Sequence, residues 1–333
     1  MIITRTPFRI SLFGGGTDYP LWFNEHAGAV IGTAINRYCY ISLRRLPPFF
    51  EYKHRIVYSR IELADNNEEI IHPAVRAVFQ DQGVREGLEM HHNGDLPALS
   101  GLGSSSSFTV GLLNSYHALN GRMISKTELA KEAIRIEQNV IKENVGSQDQ
   151  VWAAFGGFNR IDFNRDGTFG VQPMIMSNER REQIRASFVF CFTGLSRFSS
   201  DVAKSTLDNM ESRSRNLFAM RDMVDEATSL LGKSQLSIRA LGELLHESWL
   251  LKRELSDAVS NPKIDEIYDA ARDVGAIGGK LLGAGGGGFM LFIVEPEHKK
   301  SVEERLSKLV QVECDFDTTG SQVVVYEPDE FYR

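Results

Sequence analysis

Residues 97–107 read Pro-Ala-Leu-Ser-Gly-Leu-Gly-Ser-Ser-Ser-Ser, and this run constrains the surrounding fold more than any other segment. An extended pattern at 89–93 precedes it. After it, Phe108, Leu112, Leu113, Tyr116 and Leu119 fall on one helical face. A glycine-rich turn between strand and helix lets the backbone approach a ligand without Cβ atoms in the way. It also leaves the first helical amides free, with the positive end of the helix dipole behind them. That combination suits phosphate, and the serine hydroxyls add donors and an oxygen ligand for Mg2+. The plainer reading is a Gly/Ser turn that only caps a helix. No Gly-Lys-Ser/Thr follows, so this is not a Walker A loop.

A second glycine run, KLLGAGGGGFMLF at 280–292, matches G-x-G-x-x-G by letter at 283–288. A dinucleotide fingerprint needs a strand before it and a helix after it, but here the apolar strand pattern 289–294 comes after. The protein-kinase loop is excluded as well, because no VAIK, HRD or DFG element accompanies it. Two carboxylates stand out between the runs. Glu137 lies in a helix pattern at 126–142 that opens with the capping box Ser125-Lys-Thr-Glu128. Asp149 opens a short helix after a break at Gly146, set among the small and apolar residues of VGSQDQVWAAFGG. Phosphoryl transfer to a hydroxyl uses one carboxylate to accept the proton and another to hold Mg2+. The competing reading of both is a solvated surface charge.

The chain has 333 residues, long enough for two domains. A net charge of −7 without a basic stripe argues against a nucleic-acid partner. Cys39, Cys191 and Cys314 are far apart in apolar runs and read as free thiols of a reducing compartment. The start MIITRTPFRISLFGG lacks a signal-peptide pattern, and no apolar run approaches membrane-spanning length. The expectation is a cytoplasmic protein with no membrane partner, a homo-oligomer being left open. Strand patterns fall at 2–6, 8–13, 29–34, 38–43, 55–59, 158–163, 186–193 and 323–326. Helix patterns fall at 73–80, 199–231, 237–259, 264–274 and 296–309. Strand-rich first and helix-rich second, the chain reads as α+β with two lobes, 1–180 and 181–333, meeting softly near 177–186.

The two glycine runs, together with TPFRISLFGGGTDYP at 6–20, resemble the galactokinase–homoserine kinase–mevalonate kinase–phosphomevalonate kinase (GHMP) superfamily in order and spacing. The resemblance covers essentially the whole chain. It implies an N-terminal lobe like ribosomal protein S5, a C-terminal ferredoxin-like lobe and a site in the cleft between them. By that resemblance Gly101, Leu102, Gly103, Ser104, Ser105, Ser106 and Ser107 form the ATP phosphate loop, and Ser105 and Glu137 bind Mg2+. Asp149 is the catalytic aspartate, and Arg9 the arginine that attends it and stabilises the transferring phosphoryl. Gly15, Gly16, Thr17, Asp18, Gly285 and Gly286 line the substrate side.

Galactokinases carry Gly-Glu-His-Thr-Asp where this chain has Gly14-Gly15-Gly16-Thr17-Asp18. The missing side chains leave a roomier, less negative pocket, suited to a larger phosphorylated sugar. GGGTDYP, INRYCYI, LPPFF, SGLGSSSSFTVGLL and NVGSQDQ are similar to segments of the bacterial D-glycero-D-manno-heptose 7-phosphate kinases and of the kinase region of fucokinases. The implied reaction is transfer from ATP to the anomeric hydroxyl, giving heptose 1,7-bisphosphate. A fucokinase-like or other sugar 1-kinase is the alternative, and a sugar or nucleotide sensor on the same fold is the non-enzymatic one. Arg197 and Lys280 are the candidate donors to a distal phosphate.

Overall fold

Strand Ile2–Phe13, buried along nearly its whole length, is one long element where the sequence pattern suggests two. It pairs antiparallel with the 18-residue strand Gly28–Arg45, and the register shifts between Pro7 and Phe8. Proline has no amide to give to a ladder, and an irregularity there keeps the strand continuous. The structure, a computed structural model, describes residues 1–195 and 199–328. Arg197 therefore lies outside the described residues.

Two sheets organise the chain. In the first the order is Gln322–Tyr326, Ile2–Phe13, Gly28–Arg45, Leu88–Gly94, His54–Val57, Ile61–Ala64. Phe158–Phe163 pairs with the first half of Gly28–Arg45 and carries Phe169–Pro173 on its other edge. The second sheet is antiparallel, in the order Val310–Gln311, Phe188–Phe192, Phe289–Val294, Ala276–Leu281. The last described strand thus crosses back to pair with the first.

Helix Ser104–Leu119 packs on strands Ile2–Phe13 and Gly28–Arg45, and helix Ile238–Arg253 on Ala276–Leu281. Helix Ser214–Gly232 touches both Gly28–Arg45 and Ile238–Arg253, which fixes the second sheet's helices against the first sheet. The capping box at Ser125 and Glu128 forms as the sequence indicates. Its helix ends earlier than the pattern suggests: Lys126–Arg135 is α-helical and Ile136–Ile141 a π-helix. The stretch read as one helix at 199–231 is two, Ser199–Asp208 and Ser214–Gly232. Among the described residues no helix is long and apolar enough to cross a membrane.

Candidate active site

The two glycine runs, about 180 positions apart in sequence, meet backbone to backbone. Gly101 and Gly283 both have positive φ, +80° and +72°. A Cβ on Gly283 would stand 2.5 Å from Gly101 Cα, and one on Gly101 would stand 2.5 Å from Leu282 O. Only glycine permits that approach. Phe289 N donates to Ser100 O at 3.0 Å, tying the second sheet to the first loop.

Gly103 caps the helix in the left-handed conformation without a side-chain cap. Ser107 N donates to Gly103 O at 2.9 Å, while the amides of Ser104, Ser105 and Ser106 have no backbone acceptor among the described residues. These three residues, with Gly101 and Gly103, line the cleft. Leu102 is buried in the core, and its carbonyl accepts from Arg9 N at 3.0 Å. The Ser107 hydroxyl donates to Pro7 O at 2.8 Å. Both hold the loop in place and neither lines the cleft.

Strand Ile2–Phe13 delivers Arg9, which donates through Nε and Nη2 to the two carboxylate oxygens of Asp149, each at 2.7 Å. Its Nη1 reaches Gly101 O at 2.7 Å. The Arg9 side chain is 6% exposed and that of Asp149 is 23%, so the carboxylate is the cleft-facing member of the pair. Each of its oxygens keeps a lone pair for a further donor. Asp149 also lies against the phosphate-type loop, since a Cβ on Gly103 would be 3.2 Å from Asp149 Oδ2.

Asp18 follows the Gly14–Gly16 turn and is almost wholly buried, accepting from Gly16 N at 2.9 Å. Burial raises its pKa, the bonds from Gly16 and Gln148 oppose that, and the nearby Asp149 adds to it. Gly146 makes room for it: a Cβ there would stand 1.9 Å from Asp18 Oδ2. Beside Asp18, Ser11 Oγ and Gln148 Oε1 are buried without partners on the cleft wall. Such groups suit a polyhydroxylated ligand, because unpaired buried polar atoms are costly. Thr17 is elsewhere: its hydroxyl lies 2.8 Å from Gly14 O and 2.9 Å from Ala29 O, stitching the turn to the sheet. Gly15, Gly16 and Gly285 line the cleft, whereas Gly286 donates to Val259 O at 3.0 Å and does not.

Glu137 sits in the π-helical turn, fully buried behind Ser106. Ser106 Oγ donates to its Oε2 at 2.8 Å and Gln150 Nε2 at 2.5 Å. Ser105, the serine the family resemblance offers as the metal ligand, is exposed instead. The geometry therefore pairs Glu137 with the next serine along. Burial pushes the Glu137 carboxyl up to about 7 against the pull of Thr109, Ser106 and Gln150. Its Oε1 has no hydrogen-bond partner. A buried carboxylate with one orphaned oxygen, beside serine hydroxyls at an anion loop, fits a hard divalent cation. Among the described residues no three His, Cys, Asp or Glu side chains converge to hold a metal. Any Mg2+ here would share its ligands with phosphate oxygens.

Two further basic residues, Lys252 and Lys280, line the cleft and are nearly buried. No sequence motif marks Lys252. Its signal is positional: Leu245, Ser248, Trp249 and Lys252 form one buried stripe of helix Ile238–Arg253, so a lysine occupies a core register.

A helix N-terminus with free amides beside an arginine-clamped aspartate, in a cleft lined by both glycine runs, has the geometry that phosphoryl transfer requires. Residues 69–157 match the family described as GHMP kinases N terminal domain, and residues 230–311 that described as GHMP kinases C terminal. The D-glycero-alpha-D-manno-heptose 7-phosphate kinase of Campylobacter jejuni is 30% identical over 332 residues, covering 97% of this chain and 98% of that protein. The chain belongs to the GHMP kinases and is an ATP-dependent sugar kinase. The bifunctional fucokinase/GDP-fucose pyrophosphorylase of Arabidopsis thaliana is 24% identical over 91% of this chain, which spans 31% of that protein. Among solved structures, a D-glycero-D-manno-heptose 1-phosphate kinase from Bacteriodes thetaiotaomicron superposes with a TM-score of 0.80 at 22% identity. It covers 98% of this chain and 100% of its own, and it supports the fold.

Proposed function

We propose that the protein transfers the γ-phosphoryl of ATP to the anomeric C1 hydroxyl of D-glycero-D-manno-heptose 7-phosphate, giving the 1,7-bisphosphate. The observation that carries the chemistry is the Arg9–Asp149 pair, 2.7 Å at both contacts, pressed against the loop whose amides are free. The choice of sugar is supported by the full-length similarity to the Campylobacter enzyme and by the pocket at Gly14–Gly16, which carries no side chains.

In this reading the amides of Ser104, Ser105 and Ser106 receive the ATP phosphates, backed by the helix dipole. Asp149 accepts the proton of the C1 hydroxyl. The C1 oxygen bonds to the γ-phosphorus, and the bridging oxygen leaves with ADP. Arg9 fixes the aspartate's orientation and sets positive charge beside the transferring group. Asp18, Ser11 and Gln148 orient the sugar. Ser106, Ser105 and Glu137 are the residues that would hold Mg2+, whose part is to offset charge on the phosphate oxygens.

The test is a coupled ADP-release assay with ATP–Mg2+ and, separately, heptose 7-phosphate, mannose, fucose and galactose, with the product position read by NMR. Turnover confined to heptose 7-phosphate with phosphorus coupled to H1 is expected. Faster turnover on fucose or another unphosphorylated sugar, or a product phosphorylated elsewhere, would replace the substrate assignment.

A further inference from the structure

Two lysines enter the cleft from the C-terminal half, and neither has a carboxylate partner. Lys252 Nζ donates to Leu281 O at 3.0 Å and Gly283 O at 2.5 Å, and Lys280 Nζ donates to Leu12 O at 2.8 Å. They are 8% and 3% exposed, and neither forms an ion pair among the described residues. Lysine is almost never buried unpaired, because the charged form loses its hydration. A protonated ammonium has three donors, so in that form one of Lys252 and two of Lys280 are unspent among the described residues. The charges around the pair are Arg9 and Asp18. Arg9 is already committed to Asp149. Burial first, then mutual repulsion and Arg9, drives Lys252 well below the usual lysine range; burial and then Arg9 take Lys280 down to about 7. Asp18 pulls the other way in both, but not enough to offset burial.

We propose that Lys252 and Lys280 form a phosphate-monoester subsite, which supplies the counter-charge this buried pair lacks. Its position favours the acceptor's own phosphate. Lys280 hangs from Leu12, immediately before the turn that carries Asp18, while the free amides of Ser104–Ser106 already serve the nucleotide. The terminal phosphate of ATP is the other source of the same chemistry. The acceptor assignment rests on the sugar-phosphate reading of the active site; the existence of the subsite does not.

The experiment is calorimetry on the full-length enzyme and its Lys252→Met and Lys280→Met variants, which keep the apolar stem and remove the ammonium. Three probes are compared: heptose 7-phosphate, the unphosphorylated heptose, and a non-hydrolysable ATP analogue with Mg2+. A loss of at least ~10-fold for heptose 7-phosphate, with the unphosphorylated sugar unchanged, is the expected result. Loss confined to the ATP analogue assigns the subsite to the donor phosphate, and it would still do so if the wild-type enzyme proved to act on an unphosphorylated sugar. Unchanged affinity for all three probes overturns the subsite. If the variants do not fold, the wild-type protein gives an independent readout at pH 8, from binding heats in buffers of different ionisation enthalpy. A phosphate seated on the pair draws a proton onto it, so net proton uptake supports the proposal, and none with either phosphorylated ligand overturns it.

Discussion

The two glycine runs both line the cleft, one serine-rich and the other almost all glycine, and they do different work. The first ends in a helix, so its amides at Ser104, Ser105 and Ser106, residues that line the cleft, have no backbone acceptor among the described residues. The second ends in strand Phe289–Val294, and two of its amides are spent on backbone: Gly286 N goes to Val259 O and Gly288 N to Leu195 O, while Gly283, Ala284, Gly285 and Gly287 line the cleft. The first is built as an anion receptor, whereas the second is chiefly a spacer whose missing side chains let two backbones touch. The element after the glycines makes the difference, because a helix start sets adjacent amides in front of a dipole and a strand start does not.

The largest effect that would break this contrast lies on the receptor side. Asp149→Asn keeps the shape and removes the proton acceptor, so kcat should fall by roughly 10²–10⁴ with a modest change in sugar-phosphate affinity. Steady-state kinetics at saturating ATP measure it, and near wild-type turnover would remove the aspartate from the chemistry. On the spacer side, Gly283→Ala forces a left-handed alanine against Gly101 and should cost about 1–3 kcal/mol in denaturant unfolding. A neutral result would mean that the close approach is not needed.

Smaller differences sharpen the picture within the receptor loop. Ser106→Ala removes the hydroxyl on Glu137 and should weaken binding of the ATP analogue with Mg2+ by about 10-fold, with Ser105→Ala costing less. The reverse order would make Ser105 the stronger metal ligand of the two. The last effect is on the pH dependence of stability. Lys280, facing Arg9, Lys252 and Asp18, sits near 7 when folded against 10.5 for an ordinary lysine. Between those values the unfolded chain binds more protons, so the ligand-free enzyme should gain stability as pH rises from about 7. Urea midpoints between pH 7 and 9 should rise in the wild type and rise less in Lys280→Met.

Features decided locally were legible in the sequence. The Ser125–Glu128 capping box, the helix opening at Ser104 and the all-apolar strand Phe289–Val294 depend on neighbours within a few residues. Features decided by a distant partner were not. The joining of strands across Pro7 is settled by the register with Gly28–Arg45, and the π-helical turn at Glu137 carries no mark in its own residues. The Arg9–Asp149 pair spans 140 positions and came from family resemblance, not from spacing. Thr17, Leu102, Ser107 and Gly286 share the motifs of the residues around them. Side-chain direction at Thr17, Leu102 and Ser107, and a backbone hydrogen bond at Gly286, separate the four that hold the loops from those that line the cleft.

Strand Gln322–Tyr326 pairs with Ile2–Arg5, across more than 300 positions of sequence. Until that pairing forms, one edge of an otherwise buried strand stays open as a template for wrong partners. Folding of this enzyme should therefore be limited by a late, long-range zippering of this edge, and the intermediate that lacks it should be the most vulnerable to aggregation.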